Sequence, residues 1–310
     1  MSSFNYQYDG LETVTDFIRW GGSLFQKAEL FFGHGTDNAF DEAKTLVFFE
    51  LNLSWQSPEY LFSSRLTHRE KELVTELFRR RIETRKPVAY LTGEAWFAGL
   101  KFIVSEATLV PRSPIAELIA QDYRPWVEPE EVGSILDMCT GSGCIGIASL
   151  QACPNATVDL VDLSADALLV AQQNVDKFQL QEVVTVIQSD LFANLQGKQY
   201  DLIVSNPPYV DKIEMDALPA EFKNEPKMGL EAGEDGLDLV RIMLAEAANH
   251  LTDKGTLIVE VGVSQYFMEQ VYPELPLFWF EFEQGGEGVF AIQKSELVVF
   301  QDLLTANKYG

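Results

Sequence analysis

Tyr200-Asp201-Leu202-Ile203-Val204-Ser205-Asn206-Pro207-Pro208-Tyr209 runs from a short apolar stretch into two consecutive prolines. Leu202, Ile203 and Val204 form a β-rich run with no polar alternation, the pattern of a strand buried on both faces. Two prolines remove two ladder donors and fix two φ angles, so the strand ends there. A residue before proline is pushed out of the helical region. Asn206 is therefore expected in a stiff extended turn at the carboxyl end of a parallel strand, the edge where open α/β sheets bind ligands.

That turn suits the handling of a planar nitrogen. An amino or amide nitrogen about to accept a methyl group has its lone pair tied into a π system. The Asn206 side-chain oxygen and the Pro207 carbonyl are two acceptors for its two hydrogens, and Tyr209 offers a flat face. Asn206, Pro207 and Tyr209 are the candidate catalytic residues, and Pro208 joins them in holding substrate. No His or Lys is expected to act as a strong base at this motif. Taken alone, the tetrapeptide is equally an ordinary proline turn with Asn in a turn position.

Working outward, strand and helix patterns alternate from Ser134 onward. Strands are expected at 134–138, 157–162, 184–189, 200–205, 255–261, 278–282 and 289–293, and helices at 144–152, 165–178, 237–251 and 265–271. The succession predicts a mostly parallel sheet with helices on both faces. Gly285-Gly286-Glu287-Gly288 is too short for a crossover, so the last pair should be antiparallel. Residues 302–308 are expected as a tail.

Upstream of the turn, Ile135-Leu136-Asp137-Met138-Cys139-Thr140-Gly141-Ser142-Gly143-Cys144-Ile145-Gly146 runs strand, glycine turn, helix. Gly141 and Gly143 let the backbone approach a ligand, and the helix start presents free N–H groups. The spacing also fits a dinucleotide fingerprint, with Asp162 as the ribose-binding acid. Two features favour S-adenosyl-L-methionine over a nicotinamide cofactor. Asp137 suits a cationic amino acid end and would repel a pyrophosphate. Ser189-Asp190-Leu191-Phe192 offers an acceptor for an adenine amino group and apolar residues for the ring. Asp137, Thr140, Gly141, Gly143, Asp162, Asp190 and Leu191 form the candidate cofactor set.

The 310 residues leave room for a second, smaller domain. Residues 13–85 carry helical patterns, including a capping box at Thr67-His68-Arg69-Glu70 and a proline-led helix start at Ser57-Pro58-Glu59. Leu73, Leu77, Phe78 and Ile82 should face inward, with His34 and His68 at surface or cap positions. Residues 88–92 and 101–104 are expected to pair as a β-hairpin arm around Gly93 to Gly99. The expected domains are thus 1–86, helical and substrate-recognising; 87–130, arm and linker; and 131–310, the α/β sheet domain.

Net charge is −24. It is concentrated in residues 86–310, with 34 acids against 13 bases, while residues 1–85 carry 13 against 10. A duplex-binding protein shows a basic footprint, so direct sequence-specific nucleic-acid binding is not expected. A basic partner would be drawn to the larger half. Residues 211–238 hold nine acids and three lysines and suggest a docking loop for such a partner. No apolar run reaches the ~18 residues of a membrane span. Met1-Ser2-Ser3-Phe4 lacks the regions of a signal peptide. Three cysteines without a nearby histidine suggest reduced thiols and no metal site, consistent with a cytoplasmic protein.

Asp-x-x-Thr-Gly-Ser-Gly at Asp137 to Gly143, the distant Asn206-Pro207-Pro208-Tyr209 and the upstream Pro111-Arg112 together resemble the protein glutamine N-methyltransferases related to HemK, over nearly the whole chain. The resemblance implies a Rossmann-like class I methyltransferase sheet with an N-terminal helical domain and hairpin arm. It also implies the cofactor role of Asp137, Gly141, Gly143, Asp162, Asp190 and Asn206, and a glutamine held by Asn206, Pro207 and Tyr209. Val110 to Glu117 and Leu218 to Pro226 look most like the branch that methylates the third L-series protein of the large ribosomal subunit; Arg112 and Glu117 become candidate substrate-binding residues on that footing. The release-factor branch usually has Gly where Cys139 stands and Pro-Asp-Thr where Pro114-Ile115-Ala116 stands. A release-factor methyltransferase, an adenine amino-group methyltransferase on nucleic acid, a nicotinamide oxidoreductase and a non-enzymatic ribosome-assembly module are the competing readings.

Overall fold

The computed structural model describes residues 6–309, and Met1-Ser2-Ser3-Phe4 lies outside them. The chain divides into two compact units. One is the chain through Glu94 together with Pro219–Asn224; the other is Ala95–Leu218 with Glu225 onward.

The first unit is built on α1 (Val14–Lys27), α2 (Ala39–Glu50), α3 (His68–Thr84) and α4 (Val88–Thr92). Thr13 and Thr67 close capping boxes with Asp16 and Glu70, satisfying backbone donors that helix starts leave orphaned. Phe17, Phe25, Ala43, Leu46 and Phe78 are fully buried among these helices. The expected helix at 57–59 is instead a 3-10 segment, Glu59–Ser63, led by Pro58 with no side-chain cap. Residues 88–92, expected as a strand, form α4. Pro87 presets its start, Gly93 ends it in the left-handed region at φ +72°, and Thr92 Oγ1 donates back to the Val88 carbonyl. His34 is 5 % exposed, with its ring 4.4 Å from that of Phe222, so it is a core residue and not a surface one.

Buried charge holds the returning segment in this unit. Arg81 Nε donates to Glu42 at 2.8 Å, with both side chains buried. Glu221 Oε1 accepts from the Phe31 backbone N–H and from Arg85 Nη1, both at 3.1 Å.

In the second unit, β1 (Glu94–Phe97) and β2 (Leu100–Ile103) make a two-stranded sheet tighter than the arm expected from sequence. Next come α5 (Ile115–Ala120), β3 (Ser134–Met138), α6 (Cys144–Ser149), β4 (Thr157–Asp162), α7 (Ala165–Phe178), β5 (Val184–Gln188) and β6 (Tyr200–Ser205). The chain continues through α8 (Lys212–Ala217), α9 (Asp238–His250), β7 (Leu251–Glu260), α10 (Gln265–Val271), β8 (Phe278–Trp279), β9 (Val289–Gln293), α11 (Lys294–Val299) and α12 (Gln301–Ala306). Strand order is β5-β4-β3-β6-β7-β9-β8. The pairs from β5 to β7 are parallel, and β9 runs antiparallel to both β7 and β8. This is the class I methyltransferase sheet expected from the sequence. The order reverses between β3 and β6, which opens a crevice at their carboxyl ends.

Alternate residues of each strand feed two cores. Ile135, Leu202 and Val204 join Ile147 and Val175 on one face; Leu136, Ile203 and Val259 join Val240, Leu244 and Leu297 on the other. The expected tail is a correction: Leu297 of α11 and Leu304 of α12 are fully buried in the second core. Other boundaries differ too, among them the helix expected at 144–152, which ends at Ser149. The strand expected at 278–282 is only Phe278–Trp279, and β7 begins at Leu251.

Candidate active site

The crevice is lined by the ends of the four strands the sequence singled out. β3 and β6 pair in parallel with Met138 opposite Ser205, and Ser205 Oγ donates to the Met138 carbonyl at 2.7 Å. This register sets the loop after Asp137 beside Asn206.

Asp137 is fully buried. Its Oδ2 accepts from Thr140 Oγ1 at 2.5 Å and from the Gly146 backbone N–H at 2.8 Å. Oδ1 is buried with no partner, and burial pushes the carboxyl up to about 7. Thr140 thus braces Asp137, and its own N–H donates to the Val161 carbonyl. A Cβ on Gly146 would stand 2.8 Å from that of Asp137, so glycine is what allows α6 to start against the carboxylate. Gly141 has φ +55° with open space where a side chain would go; Gly143 has φ +79° and faces Leu160. Cys139 is also left-handed, at φ +59°, where glycine carries no strain.

Asp162, half-buried at the end of β4, accepts from the Gly141 N–H and the Ser164 N–H, each at 2.9 Å. Burial raises its carboxyl. Asp190 is exposed after β5, and Leu191 is buried with φ +46°. Phe192 is buried with Leu191 in the second core and stacks on His250, with centroids 4.5 Å apart.

At the end of β6, Pro207 and Pro208 are buried and Asn206 is half-buried. The Asn206 Oδ1 atom is buried without a partner. The Tyr209 hydroxyl donates to Glu260 Oε1 at 3.0 Å, and the Tyr209 carbonyl accepts from Ser264 Oγ at 3.0 Å. A Cβ on Gly262 would come within 2.7 Å of the Tyr209 ring, so bare backbone walls that face. Burial, then Glu260, pushes the Tyr209 hydroxyl far up.

Arg112 and Glu117 are engaged within the protein. Arg112 Nη1 and Nη2 donate to Glu225 Oε1 and Oε2 at 2.7 and 2.9 Å, and the Val110 N–H donates to the same carboxylate at 3.0 Å. Glu117 accepts from the backbone N–H groups of Glu283 and Gln284. The expected acidic docking loop is also revised. Glu221 and Glu225 are buried ion-pair members and Asp235 pairs with Arg241. Glu231 pairs with Lys227, Asp238 lies 3.7 Å from Arg241, and Asp211 caps α8, while Asp216 and Glu234 are exposed.

Sequence reasoning missed Glu260 and Ser113. Glu260 ends β7 and is 4 % exposed; its Oε2 accepts from Ser113 Oγ at 2.5 Å. A lone acid inside Leu257-Ile258-Val259-Glu260-Val261 was the available signal, since an unpaired charge is not left in a core. Among the described residues, no group of three or more His, Cys, Asp or Glu could hold a metal ion, and no helix is long and apolar enough to cross a membrane.

The methyltransferase small domain family matches residues 125–233. The ribosomal protein uL3 glutamine methyltransferase of Francisella tularensis is 45% identical over 295 residues, covering 95% of this chain and 94% of its own. The ribosomal protein uL3 glutamine methyltransferase of Xanthomonas campestris pv. campestris is 49% identical over 297 residues, covering 96% of each. A solved ribosomal protein L11 methylase from Lactobacillus delbrueckii is more distant, at 18% identity and a TM-score of 0.41 over 59% of this chain and 80% of its own. With nearly full-length identity to those two relatives, this chain belongs to the ribosomal protein uL3 glutamine methyltransferase family.

Proposed function

We propose that the protein methylates the side-chain amide nitrogen of a glutamine in ribosomal protein uL3, in the cytoplasm, with S-adenosyl-L-methionine as methyl donor. The observation that carries the reading is the Asn206 carboxamide oxygen. It is buried, has no protein partner, and is set by the β3–β6 register beside the Asp137 loop. An unsatisfied buried acceptor is costly unless a ligand completes it.

The residues present fit the cofactor. Asp137 Oδ1 is a second buried acceptor without a partner, suited to a cationic amino group, and the space beside Gly141 is open. Asp137, Gly141 and Asp162 would hold it, with Asp190 and Leu191 at its adenine end. When bound, S-adenosyl-L-methionine supplies a methyl group on a positively charged sulfur.

An amide nitrogen is a poor nucleophile, so the chain's contribution is proximity and orientation. Asn206 Oδ1 and the Pro207 carbonyl would accept the two amide hydrogens, bonds that strengthen as the nitrogen becomes positive. The Tyr209 hydroxyl is committed to Glu260, which leaves its ring as the surface for the planar carboxamide. The spent proton passes to solvent or to a weak acceptor. The acidic excess in residues 86–310 favours a basic protein over nucleic acid as partner.

The test is to incubate the protein with methyl-labelled cofactor and large-subunit proteins from cells lacking it, and to locate the label by peptide mass. One methyl group on a glutamine of uL3 is expected. Label on a release factor would move the substrate to the other branch; label in nucleic acid, or none, overturns the reading.

A further inference from the structure

Glu260 is buried at the end of β7, the strand next to β6, and it grips the catalytic turn. Its two oxygens are divided between two hydroxyls, Tyr209 Oη at 3.0 Å and Ser113 Oγ at 2.5 Å. Ser113 Oγ accepts from the Ile115 N–H at 3.2 Å, so its own proton is the one given to Glu260. One residue earlier, Arg112 is fastened to Glu225 by two bonds. Residues 110–113 are therefore bolted on one side to Glu225, which follows the turn in sequence, and on the other to the acid that holds Tyr209.

We propose that Glu260 is a positioning residue for methyl transfer: as a carboxylate it clamps the Tyr209 hydroxyl against Ser113 and so fixes the ring over which the substrate carboxamide lies. The proposal rests on the methyl-transfer reading above.

The protonation state decides whether the clamp closes. A carboxylate accepts from both hydroxyls at once. A neutral acid carries its own O–H; the hydroxyl it faces must then accept from it and turn its own proton elsewhere, so the two hydroxyls no longer both donate to Glu260. The groups facing Glu260 are Tyr209, Ser113 and the Arg112 guanidinium, with Glu225 behind Arg112. Burial raises the carboxyl, while Ser113, Tyr209 and Arg112 oppose the rise. Turnover should accordingly have an acid limb that follows this group.

The variant to make is Glu260→Gln, which keeps shape and removes the charge. Expected are cofactor binding by calorimetry within twofold of wild type, substrate KM within about threefold, and kcat lower by roughly tenfold, with the acid limb of kcat abolished. Tyr209→Phe, which removes only the hydroxyl, should lower kcat similarly. Glu260→Gln added to it should cost nothing more, since the two act through one bond. An unchanged kcat and acid limb in Glu260→Gln, or losses that multiply in the double variant, would overturn the proposal.

A separate readout needs no turnover. The ring signal of Tyr209 in protein labelled with 13C-tyrosine should titrate with pH in the wild type and stay fixed in Glu260→Gln; identical titration in both would sink the clamp. Absence of methyl transfer by the wild-type protein would sink the functional reading instead, and leaves this measurement standing.

Discussion

Asp137 and Glu260 are buried carboxylates at the carboxyl ends of β3 and β7 in one sheet, and they are finished differently. Glu260 has both oxygens engaged by protein hydroxyls. Asp137 has one oxygen holding Thr140 and Gly146 while the other meets nothing. A buried charge is tolerated when hydrogen bonds surround it, so the fully paired acid belongs to the frame. The half-paired acid points at what the crevice receives. Asn206 falls in the second class, with a buried oxygen left open. Charge and burial are alike at the two strand ends, and only the partner list separates support from contact.

Asn206→Ala should break that distinction most visibly if it is wrong. The open oxygen contributes no protein hydrogen bond, so its loss should change stability by less than about 1 kcal/mol. Methyl transfer should fall by two orders of magnitude or more, as expected when an orienting acceptor at the reacting atom is removed. Full turnover with a lowered melting temperature would place Asn206 in the frame.

Asp137→Asn comes next in size. The substitution keeps an acceptor for Thr140 and Gly146 and turns an N–H₂ toward the open side, so calorimetric affinity for the cofactor should drop by about tenfold or more. The pH dependence has a definite sign. The folded carboxyl titrates at about 7 against 3.8 when exposed, so the native state holds the extra proton between those values. Its stabilising effect is complete below about 3.8, is lost as pH rises through 7, and is level above. The difference in melting temperature between the unliganded wild type and Asp137→Asn should shrink or reverse over that window.

How much of this could be read from the sequence differs between the two classes. Strands β3, β4, β6 and β9 are delimited as their apolar runs delimit them, because a strand buried on both faces leaves a local signature. Asn206 and Asp137 were equally legible, since glycines and prolines near them announce the turns. Glu260, Ser113 and Glu225 were not. Their roles come from contacts that span 51, 147 and 113 positions in the chain, and no local pattern reports a partner that distant. Arg112 shows the same limit from the other side: its Pro-Arg motif was visible, but its commitment to Glu225 was not. Residues 88–92 failed for a local reason, because Val and Tyr favour strands while Pro87 and Gly93 supplied both ends of a helix.

Ser113→Ala carries the smallest expected effect and the sharpest logic, because it converts the β7 acid into the β3 kind. Removing the Ser113 hydroxyl leaves Glu260 Oε2 without its donor, and stability should fall by about 1–2 kcal/mol. That hydroxyl lowers the Glu260 carboxyl, so its loss must raise it further. The acid limb of turnover should then shift to higher pH while kcat on its plateau falls less than in Glu260→Gln, because Tyr209 keeps its own bond to Oε1 although the second anchor is gone. A plateau loss as large as that of Glu260→Gln would mean that Ser113 supports catalysis by a route other than Glu260. An acid limb that stays put would mean that the carboxylate controlling turnover stands at another strand end, with Asp137 the first to test.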